Sequence, residues 1–168
     1  MYDTSIHPYE IRRTNPDYCR STARSLERVA DQLSYSVAQG QGEFISDTID
    51  AALTHVTWEL GCIAGDLVSS FNGKGDDHLM LATAIRQCAA PLGLAQLHLT
   101  QAMDQISDHH QVFAPTADLQ VKAPMLLLSA LQRDLDHART AIRTAANQFK
   151  INASLLDSRR IAAAPPPN

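Results

Sequence analysis

Lysine is nearly missing from this chain. Only Lys74, Lys122 and Lys150 occur, and arginine carries the rest of the basic charge, a usage that fits a GC-rich bacterial genome. Aromatic residues make up 5 %, with Trp58 the single tryptophan, so a core must be built from Leu, Ile, Val and Ala. The three cysteines, Cys19, Cys62 and Cys88, lie far apart and form no C-x-x-C pair. That excludes a disulfide framework or a zinc ribbon as the organising principle and leads us to expect a reducing cytoplasm. No stretch approaches 18 uncharged apolar residues, and Met1 to Ser5 contain no basic region leading into an apolar one, so neither membrane spanning nor secretion is expected. No long run alternates with period two, which argues against a sheet.

What is present is helical periodicity. A chain of 168 residues, 45 % hydrophobic, suits one domain able to bury roughly 70 % of its unfolded surface. Asn15-Pro16 marks a first helix, a capping residue followed by a proline whose missing N–H does no harm at the first position. Leu26, Val29, Leu33 and Val37 continue it until Gly40-Gln41-Gly42 stops it. A second helix is predicted from about Glu43 to Ser46, with Ile45, Ile49, Leu53, Val56, Leu60, Ile63, Leu67 and Phe71 along one face and Asn72-Gly73 as its C-terminal cap. A third opens at Asp76 and Asp77, which suit a helix N-terminus. Its inner stripe runs from Leu81 through Ile85, Cys88, Leu92, Ala95, Leu99 and Ala102 to Ile106, with a kink or break expected near Pro91. After a connection from Asp108 to Thr116, a fourth helix is predicted from Pro124, its seam running through Leu127, Leu131, Leu135, Ala138, Ile142, Ala145 and Phe149, and its end between Phe149 and Arg160.

The expected architecture is therefore an all-α, antiparallel four-helix bundle with a kinked third helix. Residues 15–160 form the domain, 1–14 an N-terminal arm with Tyr2, Ile6, Tyr9 and Ile11, and 161–168 a disordered Ala/Pro tail.

Charge is distributed unevenly. Residues 41–80 hold seven acids against Lys74 alone, and residues 121–168 hold seven bases against three acids. The two regions are complementary, either as paired helices within the chain or between subunits, or they are solvated faces. The net charge of −4 argues against a general nucleic-acid binder, though a basic fourth helix leaves local phosphate contacts open.

Candidate chemistry centres on the run from His55 to Asp66. His55, Glu59, Cys62 and Asp66, spaced four, three and four apart, share one helix flank. His98 on the third helix and Asp134 with His137 on the fourth occupy similar flanks, so His55, Glu59, His98, Asp134 and His137 are the candidate ligands of a mixed His/carboxylate site. Di-metal bundles, however, take Glu from two helices and Glu-x-x-His from two others. Here Cys62 stands where that pattern needs histidine, and Asp134-x-x-His137 has no second copy. DinB-like bundles need H-x-x-x-H, which is absent, and HEPN ribonucleases need a wider spacing than Arg133 to His137 provides. Gly73-Lys74-Gly75 lacks the remaining residues of a phosphate loop. The pair His109-His110 reads as a polar loop. The expectation is a solvated polar flank, with no metal, cofactor or catalytic residue.

Two glycines in one helix, Gly61 and Gly65, each cost about 1 kcal/mol relative to alanine. They imply close approach of another backbone beside Trp58. Inside the chain the partner would be Ala84, Ala89 and Gly93, or the alanine-rich fourth helix; between chains it would be a second copy. The primary reading is a non-catalytic cytoplasmic bundle acting through protein contacts, as a homodimer or with another protein, through Trp58, Gly61 and Gly65. A metal- or small-ligand-binding bundle enzyme and an accessory nucleic-acid protein using the fourth helix are the alternatives.

Overall fold

The computed structural model describes residues 15–33, 42–71, 76–109 and 125–163. They form four helices: α1 (Pro16–Gln32), α2 (Gly42–Phe71), α3 (Asp76–Asp108) and α4 (Met125–Ala163). No strand occurs among the described residues. The result is the all-α four-helix bundle that the periodicity predicts. Each of α1 and α3 packs extensively on α4, α2 packs on α3, and α1 meets α2 only lightly.

Local chemistry sets the helix ends. Asn15 caps α1, its side chain accepting from the Asp17 N–H at 3.0 Å, with Pro16 in the first turn. The helix closes earlier than its apolar pattern suggests, the Leu33 N–H bonding back to the Val29 carbonyl at 3.3 Å. Gly42 is the first residue of α2 rather than a terminator. The expected arm 1–14, Val37, Asn72-Gly73, His110 and Pro124 lie outside the described residues.

One expectation is narrowed and one corrected. Helix α3 runs through Pro91 as one element, so of the kink or break expected there the break does not occur. Proline removes the bond to the Gln87 carbonyl four residues earlier, and Gln87 is exposed, so water can serve the freed acceptor. Helix α4 continues past Arg160 to Ala163, three residues into the segment read as a tail. Alanine is the best helix former, and the restriction that Pro165 places on its predecessor comes only beyond Ala163. Along α4, the hydroxyls of Ser129, Thr140, Thr144, Ser154 and Ser158 bond to carbonyls one turn back, which satisfies them without interrupting the helix.

One apolar core joins Leu26 and Leu33 of α1, Ile49, Val56 and Ile63 of α2, Ile85, Leu92 and Leu99 of α3, and Leu131, Leu135, Ile142 and Phe149 of α4. Each such aliphatic side chain contributes roughly 1.5–3 kcal/mol by leaving water. Phe149 is the largest of those fully buried, and Ala138, Ala145, Ala146 and Ala153 let neighbouring helices approach α4 closely.

The ion pairs that α4 makes across the bundle run to α1, a pairing that the uneven charge pattern did not single out. Bases of α4 pair with α1: Arg143 with Asp31 at 2.8 Å, and Lys150 with Glu27. Arg20 of α1 returns the arrangement to Asp157 of α4. Within α4, Arg139 pairs with Asp136 at 3.3 Å.

Candidate functional site

The bundle divides the five candidate ligands between two seams. At the α3–α4 seam the imidazole of His98 donates from Nδ1 to Asp134 Oδ1 at 3.1 Å. The second carboxylate oxygen accepts from Gln105 Nε2 at 2.7 Å. His137, one helical turn beyond Asp134, brings its ring to 4.8 Å from that of His98, inclined at 60°.

Sequence spacing explains the assembly. His98 and Gln105 are seven residues apart on α3, two turns along one face, and Asp134 and His137 are three apart on α4. Ligand atoms of His98, Asp134 and His137 all lie within 4.8 Å of one another. Burial grades outward: the side chain of Asp134 is 6 % exposed, that of His98 17 %, and His137 is open to solvent. The expectation of a solvated flank therefore fails at Asp134. A buried carboxylate needs hydrogen-bond donors, and here the His98 imidazole and the Gln105 amide supply them.

Gln105 is the member that the residue pattern did not disclose. Glutamine is seldom flagged as chemistry, and only its two-turn distance from His98 would have pointed to it. Its Oε1 is buried and accepts no hydrogen bond from any described residue, an uncommon condition for an interior acceptor.

Of the other two candidates, His55 lies at the α1–α2 seam and Glu59 one turn further along α2. His55 Nε2 shares a hydrogen bond with Ser25 Oγ at 3.3 Å. Glu59 is 6 % exposed, so it too departs from the expected solvated flank. Cys62 is half-buried, and none of the three cysteines is in a disulfide. Neither His55 nor Glu59 joins the cluster on α3 and α4.

Trp58, Gly61 and Gly65 lie on the outward face of α2. Trp58 is 65 % exposed. A Cβ added at Gly61 or Gly65 would meet no described atom within 4 Å, and the same holds at Gly93. Close packing of these glycines on Ala84, Ala89, Gly93 or the alanines of α4 is thus not how the chain uses them. The reason is angular: Val56, Leu60 and Ile63 turn toward the core, and positions 61 and 65 fall on the far side of the helix. An open, mostly apolar groove of about 670 Å³ runs beside Trp58, lined by Asp50, Leu53, Thr54, Thr57, Gly61 and Cys62. Thr57 also accepts from Gln96 Nε2 of α3 at 3.1 Å.

Among the described residues no helix is long and apolar enough to cross a membrane. Comparison with protein-family models, with curated proteins and with solved structures gives no match to this chain.

Proposed function

We propose that this chain is a non-catalytic cytoplasmic bundle that acts through protein contacts, and that the outward face of α2 pairs with the same face of a second copy. The observation that carries the reading is Trp58, 65 % exposed beside glycines with open space above them. Tryptophan is the residue type most enriched at energetic centres of interfaces. Val68, one turn beyond Gly65, is 64 % exposed, and Leu94 and Leu97 of the neighbouring α3 are about half exposed. Together they extend the apolar surface that a stable contact of roughly 800 Å² per partner requires.

A two-fold contact uses one patch on both subunits. An antiparallel crossing centred between Gly61 and Cys62 sets Trp58 of one protomer on the bare backbone at Gly65 of the other, twice. It also carries Asp47 and Asp50 of the two copies to opposite ends, whereas a parallel crossing would set like charges side by side. Three free cysteines, two of them buried, fit the reducing compartment.

Light scattering across micromolar concentrations tests the reading. A dimer is expected, and Trp58→Ala should raise its Kd about 30-fold, the equivalent of roughly 2 kcal/mol for an interfacial anchor. A wild-type chain that stays monomeric at high micromolar concentration would overturn the proposal.

A further inference from the structure

We infer that His98, Asp134 and His137 form a binding site for a divalent transition-metal ion of the zinc type, with Gln105 positioning the carboxylate. Among the described residues theirs is the one group of three metal-ligating side chains close enough to share an ion. Two donors about 2.0–2.1 Å from a metal and 3.1 Å apart, as His98 Nδ1 and Asp134 Oδ1 are, subtend an angle of about 100° at the ion. That angle lies between octahedral and tetrahedral values. An ion can therefore take the place of the shared proton, which passes through solvent to His98 Nε2 so that Nδ1 coordinates as a neutral imidazole. The ring and the carboxylate turn to aim their lone pairs at the ion.

The third ligand has to travel. Neighbouring donors in a tetrahedral site stand about 3.4 Å apart, and the cluster extends to 4.8 Å, so closure takes up to about 1.4 Å at its widest pair. His137 can supply this because it is exposed and its ring can turn without disturbing the core.

Two imidazoles and one carboxylate suit zinc, cobalt or nickel rather than magnesium or calcium, which prefer all-oxygen shells. Three protein ligands leave a further position on the solvent side, where His137 emerges, for water or a small ligand. The surroundings match the chemistry of metal carboxylates, which are normally held by a neighbouring donor, here Gln105 Nε2 at 2.7 Å. On the same amide, Gln105 Oε1 is buried and has no hydrogen-bond partner among the described residues.

The test uses the full chain, stripped with a chelator, titrated with Co²⁺ under visible spectroscopy and with Zn²⁺ by calorimetry. One ion per chain is expected, with Co²⁺ giving the absorption of histidine-ligated cobalt. His137→Ala, at an exposed position that leaves the core intact, should weaken binding at least tenfold. Gln105→Leu should weaken it 10- to 100-fold, the usual effect of losing a residue that orients a ligand, while His55→Ala should bind as the wild type does. Absence of both the cobalt spectrum and zinc heat at millimolar metal, or binding unchanged in His137→Ala, would overturn the assignment. Oligomeric state does not enter either readout, so the outcome is independent of the dimer.

Discussion

At the α3–α4 seam a histidine faces a buried carboxylate that also holds a glutamine, whereas at the α1–α2 seam a histidine faces a serine hydroxyl at 3.3 Å. Both seams place imidazoles on helix flanks of similar polarity. They differ in what the opposite helix offers and in how tightly the helices meet, α3 packing extensively on α4 and α1 only lightly on α2. The close seam excludes water, so its polar groups must satisfy one another and become a defined constellation. At the loose seam His55 bonds to a half-buried serine hydroxyl, a partner that water can replace. The same contrast continues in the polar contacts of α4, where buried Asn152 donates to the Ala84 carbonyl at 3.2 Å and to Cys88 Sγ at 3.3 Å, while the ion pairs with α1 are exposed.

The strongest way to break this contrast is to remove Asp134. Asp134→Ala leaves His98 Nδ1 and Gln105 Nε2 without their acceptor in a seam of low water access. An unsatisfied buried donor costs about 1–3 kcal/mol, so a loss of about 3 kcal/mol is expected for the pair. For a chain of this size that lowers Tm by roughly 6–12 °C. Calorimetry of the metal-free protein is the measurement. A shift within 2 °C would mean that the constellation is not a buried network and that the two seams are alike.

A smaller effect of opposite sign is expected on α2. Gly61 and Gly65 have open space where a Cβ would stand, so alanine should recover helix propensity without a clash. Each substitution should raise monomer stability by about 1 kcal/mol, measured by urea unfolding at concentrations below dimer formation. Gly65→Ala should at the same time weaken the dimer by filling the space proposed for Trp58. A destabilised monomer would show instead that another part of this chain lies on those glycines, restoring the expectation of internal packing.

How legible these features were depends on whether they are local. The Asn15-Pro16 cap and the apolar stripes of α2, α3 and α4 depend on residues within a few turns, and all can be read from spacing. The fate of Pro91 is less local: whether proline breaks a helix depends on whether the freed Gln87 carbonyl meets water, which only the packed bundle decides. The five candidate ligands were visible as residue types. Their division between two seams was not, because neighbour relations in a bundle follow from packing between helices. Gln105 was hidden for the same reason, its significance lying entirely in Asp134 across the seam. Trp58 and the glycines were visible as a patch, but a stripe alone does not say whether such a face turns inward or outward.

The finest test of the contrast is Ser25→Ala. Its hydroxyl makes the polar bond to His55 across the α1–α2 seam, and both residues are half-buried. A half-buried side-chain hydrogen bond with water nearby contributes about 0.5–1 kcal/mol, and the imidazole freed by the substitution can turn to solvent. We expect a Tm decrease of only roughly 1–4 °C, well below that of Asp134→Ala. If Ser25→Ala proved as costly as Asp134→Ala, the hydroxyl would have to satisfy a group that water cannot reach. The seam would then be closed rather than loose, and His55 with buried Glu59 would become the second constellation of the bundle.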